Sequence, residues 1–499
     1  MLAAQYVGAA IVPVAEQYAL IPAARGRLIE AIELVRPKLA YVADADAYAG
    51  ALELEALDKI EIVAGRRGGR AATAFDDMLK GAGGDAAVDA AHAAVGPETV
   101  GKILMTSGST SSPKGVLTTH GMMCVNQAQL AEGLPFLTAR PPRIVDWLPW
   151  NHVFGGSHNF NMMLANGGSL YVDNGKPLKG RFDETVENLS LMTGTLTFNV
   201  PVGFALLLAE LRKDRGLRRR FFEDLDMIFY AGASLPQEVW EGFEQMAMEV
   251  KGEVPLMTSS WGLTETAPAV LLQQEPTPSS GVVGAPLPGL EVKMIPLDDQ
   301  RCEVRVKGRS VMTGYLNAPG KTASAFDDEG YFITGDAMSL VNPDDPNAGL
   351  RFEGRISEDF KLLTGTWVRA TALRASVLAH LSPLAADLVI TGHDRSEVGV
   401  LIIPNLEAVA AAGFAVSAAG GVMTEAALRD EFARRLREAG EGAGSSMRIS
   451  RALVLAEPPS LAEGEITAKG NLNFRRILTR REALLHRCYD NADPAAIKI

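Results

Sequence analysis

Through the middle of the chain, apolar residues come in short blocks separated by longer mixed stretches. The blocks at residues 103–105, 144–147, 169–172, 195–199, 227–230 and 254–257 read as buried strands. Helices are expected between them, at 127–132, 203–213 and 236–248. Strands alternating with helices predict an α/β domain around a largely parallel sheet. Ahead of it, residues 2–7 read as the tail of a helix stopped by Gly8, followed by a short buried strand at 9–14. Residues 65–72 and 81–94 read as loops or short surface helices. From 282 to 332 Gly-rich turns separate β segments at 290–295 and 303–306, a small β subdomain. Beyond Gly354 the texture changes again. Strands are expected at 388–391, 398–403 and 452–456, a helix at 424–439 and a basic helix at 472–486. The expected division is a core at 1–354 with its β-rich part from about 282, a linking segment at 355–358, and a C-terminal α+β domain at 359–499, long enough to fold alone.

Composition narrows the function classes. A chain of 499 residues that is 47% hydrophobic buries a sizeable core, which excludes wholesale disorder. A net charge of −12 argues against a nucleic-acid partner and leaves a small anionic substrate open. Three scattered cysteines offer neither a disulfide framework nor a zinc site, which points to a reducing, cytoplasmic setting. No apolar run reaches the roughly 20 residues of a membrane span, and the apolar N-terminus lacks the basic start of a signal peptide.

Three motifs carry chemistry. The first, Met105-Thr-Ser-Gly-Ser-Thr-Ser-Ser-Pro-Lys-Gly-Val116, runs from a strand into a loop dense in hydroxyls and holding one lysine. Backbone N–H groups and hydroxyls can wrap phosphate oxygens there, and Lys114 adds a point charge; an ordinary polar turn is the alternative. The Lys114-Gly115 order excludes a Walker A loop. The second, Ser259-Ser-Trp-Gly-Leu-Thr-Glu265, offers an aromatic to flank a base, a hydroxyl for phosphate and a carboxylate for Mg²⁺. Ser260 or Thr264 equally suits a helix N-cap. The third, Tyr331-Phe-Ile-Thr-Gly-Asp336, places an aspartate after a tight turn, where it can accept ribose hydroxyls or serve only the turn.

In this order the motifs resemble the adenylate-forming superfamily of acyl-CoA synthetases, adenylation domains and luciferases, from the first residues to about Arg476. The resemblance implies that Thr106, Ser107, Gly108, Ser109, Thr110 and Lys114 cover the ATP phosphates. Gly232, Ala233 and Ser234, following Tyr230, would cup adenine, with Ser260, Trp261 and Gly262 beside it. Trp261 stands where the family usually has tyrosine. Thr264 and Glu265 would meet phosphate and Mg²⁺, and Asp336 and Arg355 the ribose. Ser357 would be the hinge. Lys361, Gly365, Thr366 and Trp367 would serve the thioester step with coenzyme A. Lys469 would bridge the carboxylate and the α-phosphate.

Some positions depart from the common pattern. Ser111 replaces a usual glycine, removing freedom at positive φ. Glu465-Ile-Thr-Ala-Lys469-Gly470 inverts the common Gly-Lys order and resembles feruloyl-CoA synthetases, as do Glu358-Asp-Phe-Lys361 and Gly365-Thr-Trp367. Family members usually carry more sequence ahead of the part resembling residues 3–20, so a shortened form or a start set downstream is expected.

The implied activity is AMP-forming acid–CoA ligation using ATP, Mg²⁺ and coenzyme A, with a hydroxycinnamate such as ferulate as the acid. Rival readings are a medium- or long-chain fatty acyl-CoA ligase, an adenylation enzyme serving a carrier protein, and a non-catalytic nucleotide-binding protein. The acyl pocket is expected among His152, Phe154, Gly156, Val200 and Pro201, with Trp147 and Trp150 as further walls of a flat slot. His152 either gates that pocket or is a satisfied polar group at a strand end. Homodimers are common in such enzymes, but the sequence displays no interface.

Overall fold

The computed structural model describes every residue except 70, 71, 81–83, 107–112, 179, 233, 234, 279, 298, 299 and 467–471. The chain divides into two compact units, residues 1–334 with 339–352, and residues 335–338 with 353–499.

The first unit is organised around three parallel strands, with Met227–Tyr230 between Leu196–Asn199 and Leu256–Thr258. All four residues of the central strand are buried, which explains its unbroken apolar run. The helices Pro201–Lys213 and Gln237–Lys251 pack Phe204, Leu207, Leu211, Trp240 and Phe243 into one cluster with Ile228 and Tyr230. Two further parallel sheets comprise Arg143–Asp146 with Ser169–Val172, and Leu39–Asp44 with Glu61–Arg66 and Thr73–Ala74.

The expectation of a parallel sheet therefore holds only for part of the unit. Val100–Thr106 pairs antiparallel with Lys114–Thr119, so the phosphate-loop segment joins two neighbouring strands rather than a strand and a helix. The β-rich stretch contributes to a seven-stranded sheet whose pairings at Ser260–Gly262, Ala269–Leu272, Val282–Pro286, Leu290–Pro296 and Cys302–Gly308 are antiparallel. Residues 9–14 form no strand beyond a single bridge from Ile11 to Lys102. The strand Glu61–Arg66 runs into the stretch expected as loop, and Asp85–Ala93 is a surface helix.

In the second unit the sheet order is Ala385–Thr391, Val398–Pro404, Ile449–Val454 and Ile497–Lys498. Residues 398–403 are all buried, and their two faces feed two cores. Val398, Val400 and Ile402 pack with Phe432 and Leu436; Leu401 and Ile403 pack with Ile477 and Cys488. The expected basic helix is two helices, Phe474–Arg480 and Glu482–Tyr489. They break at Arg481, whose guanidinium is drawn inward to a buried carboxylate, Glu465.

Candidate active site

The first unit's motif residues follow the carboxyl ends of the three parallel strands, where ligand crevices form in α/β sheets. Val200 and Pro201 follow Asn199, Gly232 lies just past Tyr230, and Ser260–Gly262 lies just past Thr258. The Asn199 amide oxygen accepts from Trp147 Nε1 at 3.2 Å and from the Val200 N–H at 2.9 Å, fixing the first exit. The Tyr230 hydroxyl accepts from the Gly281 N–H at 3.2 Å, fixing the second. At the third, Trp261 is buried. A Cβ on Gly262 would lie 1.8 Å from the Pro268 carbonyl oxygen, so only glycine fits there. Ala233 and Ser234 lie outside the described residues.

Glu265 and Lys114 meet at one tyrosine. Glu265 sits in the short turn Thr264–Thr266, beside Thr264. The local cap is made by Thr266, whose hydroxyl accepts from the Leu263 N–H at 2.8 Å, rather than by Ser260 or Thr264. The Tyr315 hydroxyl donates to Glu265 Oε1 at 3.0 Å, and Lys114 Nζ stands 4.6 Å from the centre of the same ring. Burial and the Glu265 charge both raise the phenol's pKa, so it stays a donor. Tyr315 has no place among the sequence candidates. A Gly-Tyr pair in a β-rich stretch is too short a signal, and the bridge from Tyr315 to Val116 that places it is long-range. Thr106 faces Lys114 across the strand pair, while Ser107, Gly108, Ser109, Thr110 and Ser111 lie outside the described residues.

The expected acyl region is a turn of π-helix, Phe154–Asn159, a form frequent at functional sites. His152 Nδ1 accepts from the Phe154 N–H at 3.2 Å, which ties the imidazole to the start of this turn. Lys102, absent from the sequence candidates, is buried beneath it. Its Nζ donates to the Gly156 carbonyl at 2.5 Å and to Ser157 Oγ at 3.2 Å, and burial lowers its pKa to about 8. Trp150 packs against Phe160 and Trp147 is engaged with Asn199. The cluster beside Phe154 consists of His158, Phe198 and Phe229, with centroids 5.7, 6.1 and 5.6 Å from it. The strands bring Phe198 and Phe229 side by side, directly ahead of Val200 and Gly232. Met122, Met123, Met162 and Met163 are buried packing.

The second unit holds two further groups. Asp336 lies inside the strand Phe332–Leu340, next to Gly335 at a φ of 72°, rather than after a tight turn, and its carboxylate lies buried 3.6 Å from Arg355 Nε. Ser357 is exposed in the turn Ile356–Glu358, and Glu358 accepts from Thr371 Oγ1 at 3.0 Å. Burial raises the Glu358 pKa. The strand pair Phe360–Lys361 and Trp367–Val368 then forms a hairpin. Phe360 and Val368 point inward, while Lys361 and Trp367 stand opposite each other in solvent, with Gly365 and Thr366 in the connection. Lys469 lies outside the described residues. Ile466 bridges to Leu472, and Glu465 is held by Arg480 at 3.0 Å and Arg481 at 2.7 Å. A cleft of about 610 Å³ elsewhere in this unit, lined in part by Arg437, Arg448 and Arg451, contains none of these groups.

Among the described residues no cluster of three or more His, Cys, Asp or Glu side chains could hold a metal alone. Glu265 nevertheless fits Mg²⁺ arriving with a nucleotide, since that ion takes one or two carboxylates and completes its shell with phosphate oxygens and water. No helix among the described residues is long and apolar enough to cross a membrane.

Luciferin 4-monooxygenase of Nipponoluciola cruciata is 30% identical over 249 residues, 48% of this chain and 42% of that protein. 4-Coumarate–CoA ligase 5 of Oryza sativa subsp. japonica is 28% identical over 322 residues, 61% of this chain and 55% of its own. The chain thus spans about half the length of these curated relatives. The crystal structure of ATP-bound MatB from Rhodopseudomonas palustris shares the fold, with a TM-score of 0.65 at 19% identity over 97% of this chain and 85% of that one. Residues 359–493 match the AMP-binding enzyme C-terminal domain, and residues 1–316 match the AMP-binding enzyme family itself; the chain belongs to that family.

Proposed function

We propose that this protein is an AMP-forming acid–CoA ligase acting on a hydroxycinnamate such as ferulate. The observation that carries the reading is the convergence of Lys114 and Glu265 on Tyr315, a cation and a carboxylate on one side chain that suit a nucleotide phosphate and its metal. In the first half-reaction an acid oxygen attacks the α-phosphorus of ATP, and pyrophosphate leaves. In the second, the thiolate of coenzyme A attacks the acyl carbon, and AMP leaves. The first step brings two anions together, so positioning and electrostatics dominate. When bound at Glu265, Mg²⁺ supplies positive charge to the phosphates. Lys114 supplies a second cation, Lys469 a third at the α-phosphate, Thr264 a hydroxyl, and Asp336 with Arg355 the ribose contacts. Lys361, Gly365, Thr366 and Trp367 serve the thiol step, with Ser357 as the hinge residue.

The rice 4-coumarate–CoA ligase relative and the aromatic lining around Phe154 support an aryl acid. The test is AMP release from ATP, Mg²⁺ and coenzyme A with ferulate, benzoate or octanoate, alongside Lys469→Ala. AMP with ferulate, lowered roughly 10²–10³-fold in the variant, is the expected result. AMP only with octanoate would assign a fatty-acid ligase. Acid-dependent pyrophosphate exchange without transfer to coenzyme A would assign a carrier-protein adenylation enzyme. No exchange with any acid would leave a nucleotide binder.

A further inference from the structure

His158 is enclosed by three phenylalanines. Its ring centre lies 5.7 Å from Phe154, 5.6 Å from Phe198 and 4.9 Å from Phe229, and its side chain is 1% exposed. One edge of the imidazole is satisfied. Nδ1 lies 2.9 Å from Asn159 Oδ1, and the Asn159 amide in turn donates from Nδ2 to Asp146 Oδ2 at 3.0 Å. Asp146 also accepts from the Leu148 N–H at 3.0 Å. A carboxylate accepts only, so it fixes which end of the Asn159 amide faces it, and the amide oxygen must face His158. Nδ1 therefore carries the proton. Burial keeps the ring neutral, with its pKa lowered to about 4, so Nε2 presents a bare lone pair. Among the described residues Nε2 has no hydrogen-bond partner.

An acceptor held in one tautomer by two successive side chains and left unpaired among aromatic rings is costly to the fold. The cost is explained if a ligand brings the missing donor. The cage sits where Phe198 and Phe229 approach the carboxyl ends of their strands, just ahead of Val200 and Gly232. Phe154 is its half-buried wall. Rings on several sides suit an aromatic ligand, and a single acceptor suits a single hydroxyl on it.

We infer that His158 Nε2 accepts a hydrogen bond from a phenolic hydroxyl on the acid, making it the residue that separates hydroxylated aryl acids from their O-methylated or unsubstituted analogues. The inference rests on the ligase reading and names the substrate class of that site.

The experiment compares ferulate with 3-methoxycinnamate, which lacks only the phenolic hydroxyl, and with 3,4-dimethoxycinnamate, in which that hydroxyl is capped by a methyl group. Turnover is read as AMP release, and binding to the ATP-loaded protein by titration calorimetry. Wild type should favour ferulate over either analogue by roughly 10–100-fold in kcat/KM and in affinity. His158→Phe, which keeps an apolar filling, should bring that ratio near one. His158→Gln, which restores an acceptor, should recover part of it. The ratio is read rather than the rate, and melting temperatures check that each variant folds. Turnover without preference in wild type, or a preference retained in His158→Phe, would overturn the role of His158 while leaving the ligase intact. Preferential ferulate binding without AMP release would sustain the cage and sink the ligase reading. Neither turnover nor binding of any of the three acids would overturn both.

Discussion

Lys102 offers a quantitative test of how the acyl region is held. Its ammonium is 1% exposed and its two hydrogen-bond partners, Gly156 O and Ser157 Oγ, both lie in the π-turn that carries Phe154 and His158. A neutral amine has two protons to donate and finds two acceptors; an ammonium has a third and must also be desolvated. Burial accordingly lowers the pKa from 10.5 to about 8. Because the folded value lies below the unfolded one, the unfolded chain holds the extra proton between these values. This contribution to stability therefore grows as pH rises from about 8 towards 10.5, and is lost as pH falls through about 8. Between pH 7 and pH 10 the linkage amounts to about 2–3 kcal/mol. Other groups titrate in the same range, so the quantity to measure is the difference between wild type and Lys102→Met. Urea unfolding of both proteins at several pH values supplies it. Wild type should gain about 2–3 kcal/mol on the variant from pH 7 to pH 10. A difference that stays flat, or that moves the other way, would refute a lysine desolvated beneath the turn.

Other expectations follow from the same contacts. Glu265→Gln should lower AMP formation roughly 10²–10³-fold, whereas Tyr315→Phe keeps the ring under Lys114 and loses only the donor to Glu265. The latter should cost about tenfold and raise the Mg²⁺ concentration needed for half-maximal rate, which a magnesium titration reads. Arg481→Met removes one of the two cations from the buried Glu465 and should destabilise the second unit by about 3–5 kcal/mol, measurable by urea unfolding. Gly262→Ala puts a methyl against the Pro268 carbonyl and should cost about 1–3 kcal/mol in thermal or urea unfolding, together with most of the activity. Trp367→Ala alters a side chain that is 61% exposed, so stability should stay within about 0.5 kcal/mol. Its effect should appear in coenzyme A-dependent thioester formation, with pyrophosphate exchange retained.

By itself, the sequence determined the local structure and the chemistry of single motifs. Strands 227–230 and 398–403 are legible because burial on both faces demands an unbroken apolar run, and the helices between strands because helix and strand periods differ. Pairing direction was not legible. Whether strands 100–106 and 114–119 run parallel or antiparallel depends on how the intervening chain turns, and their apolar content suits either. Nor was the break at Arg481, because a basic helix and a guanidinium turned inward to Glu465 read alike until that carboxylate is known to be buried.

The site follows the same division. Lys114, Glu265 and Asp336 stand out because stretches that mix hydroxyls, glycine and a charge are local signals, whereas Lys361 is reached only through the family resemblance. Tyr315, Lys102 and His158 do not stand out. A tyrosine, a lysine within a strand and a histidine in an apolar turn gain their roles only from partners 50 or more residues away, or from the Phe198–Phe229 pair that two parallel strands align. Local composition sets what a residue can do chemically. Only the tertiary structure decides which groups it meets, and therefore which proton, charge or hydroxyl it is left to serve.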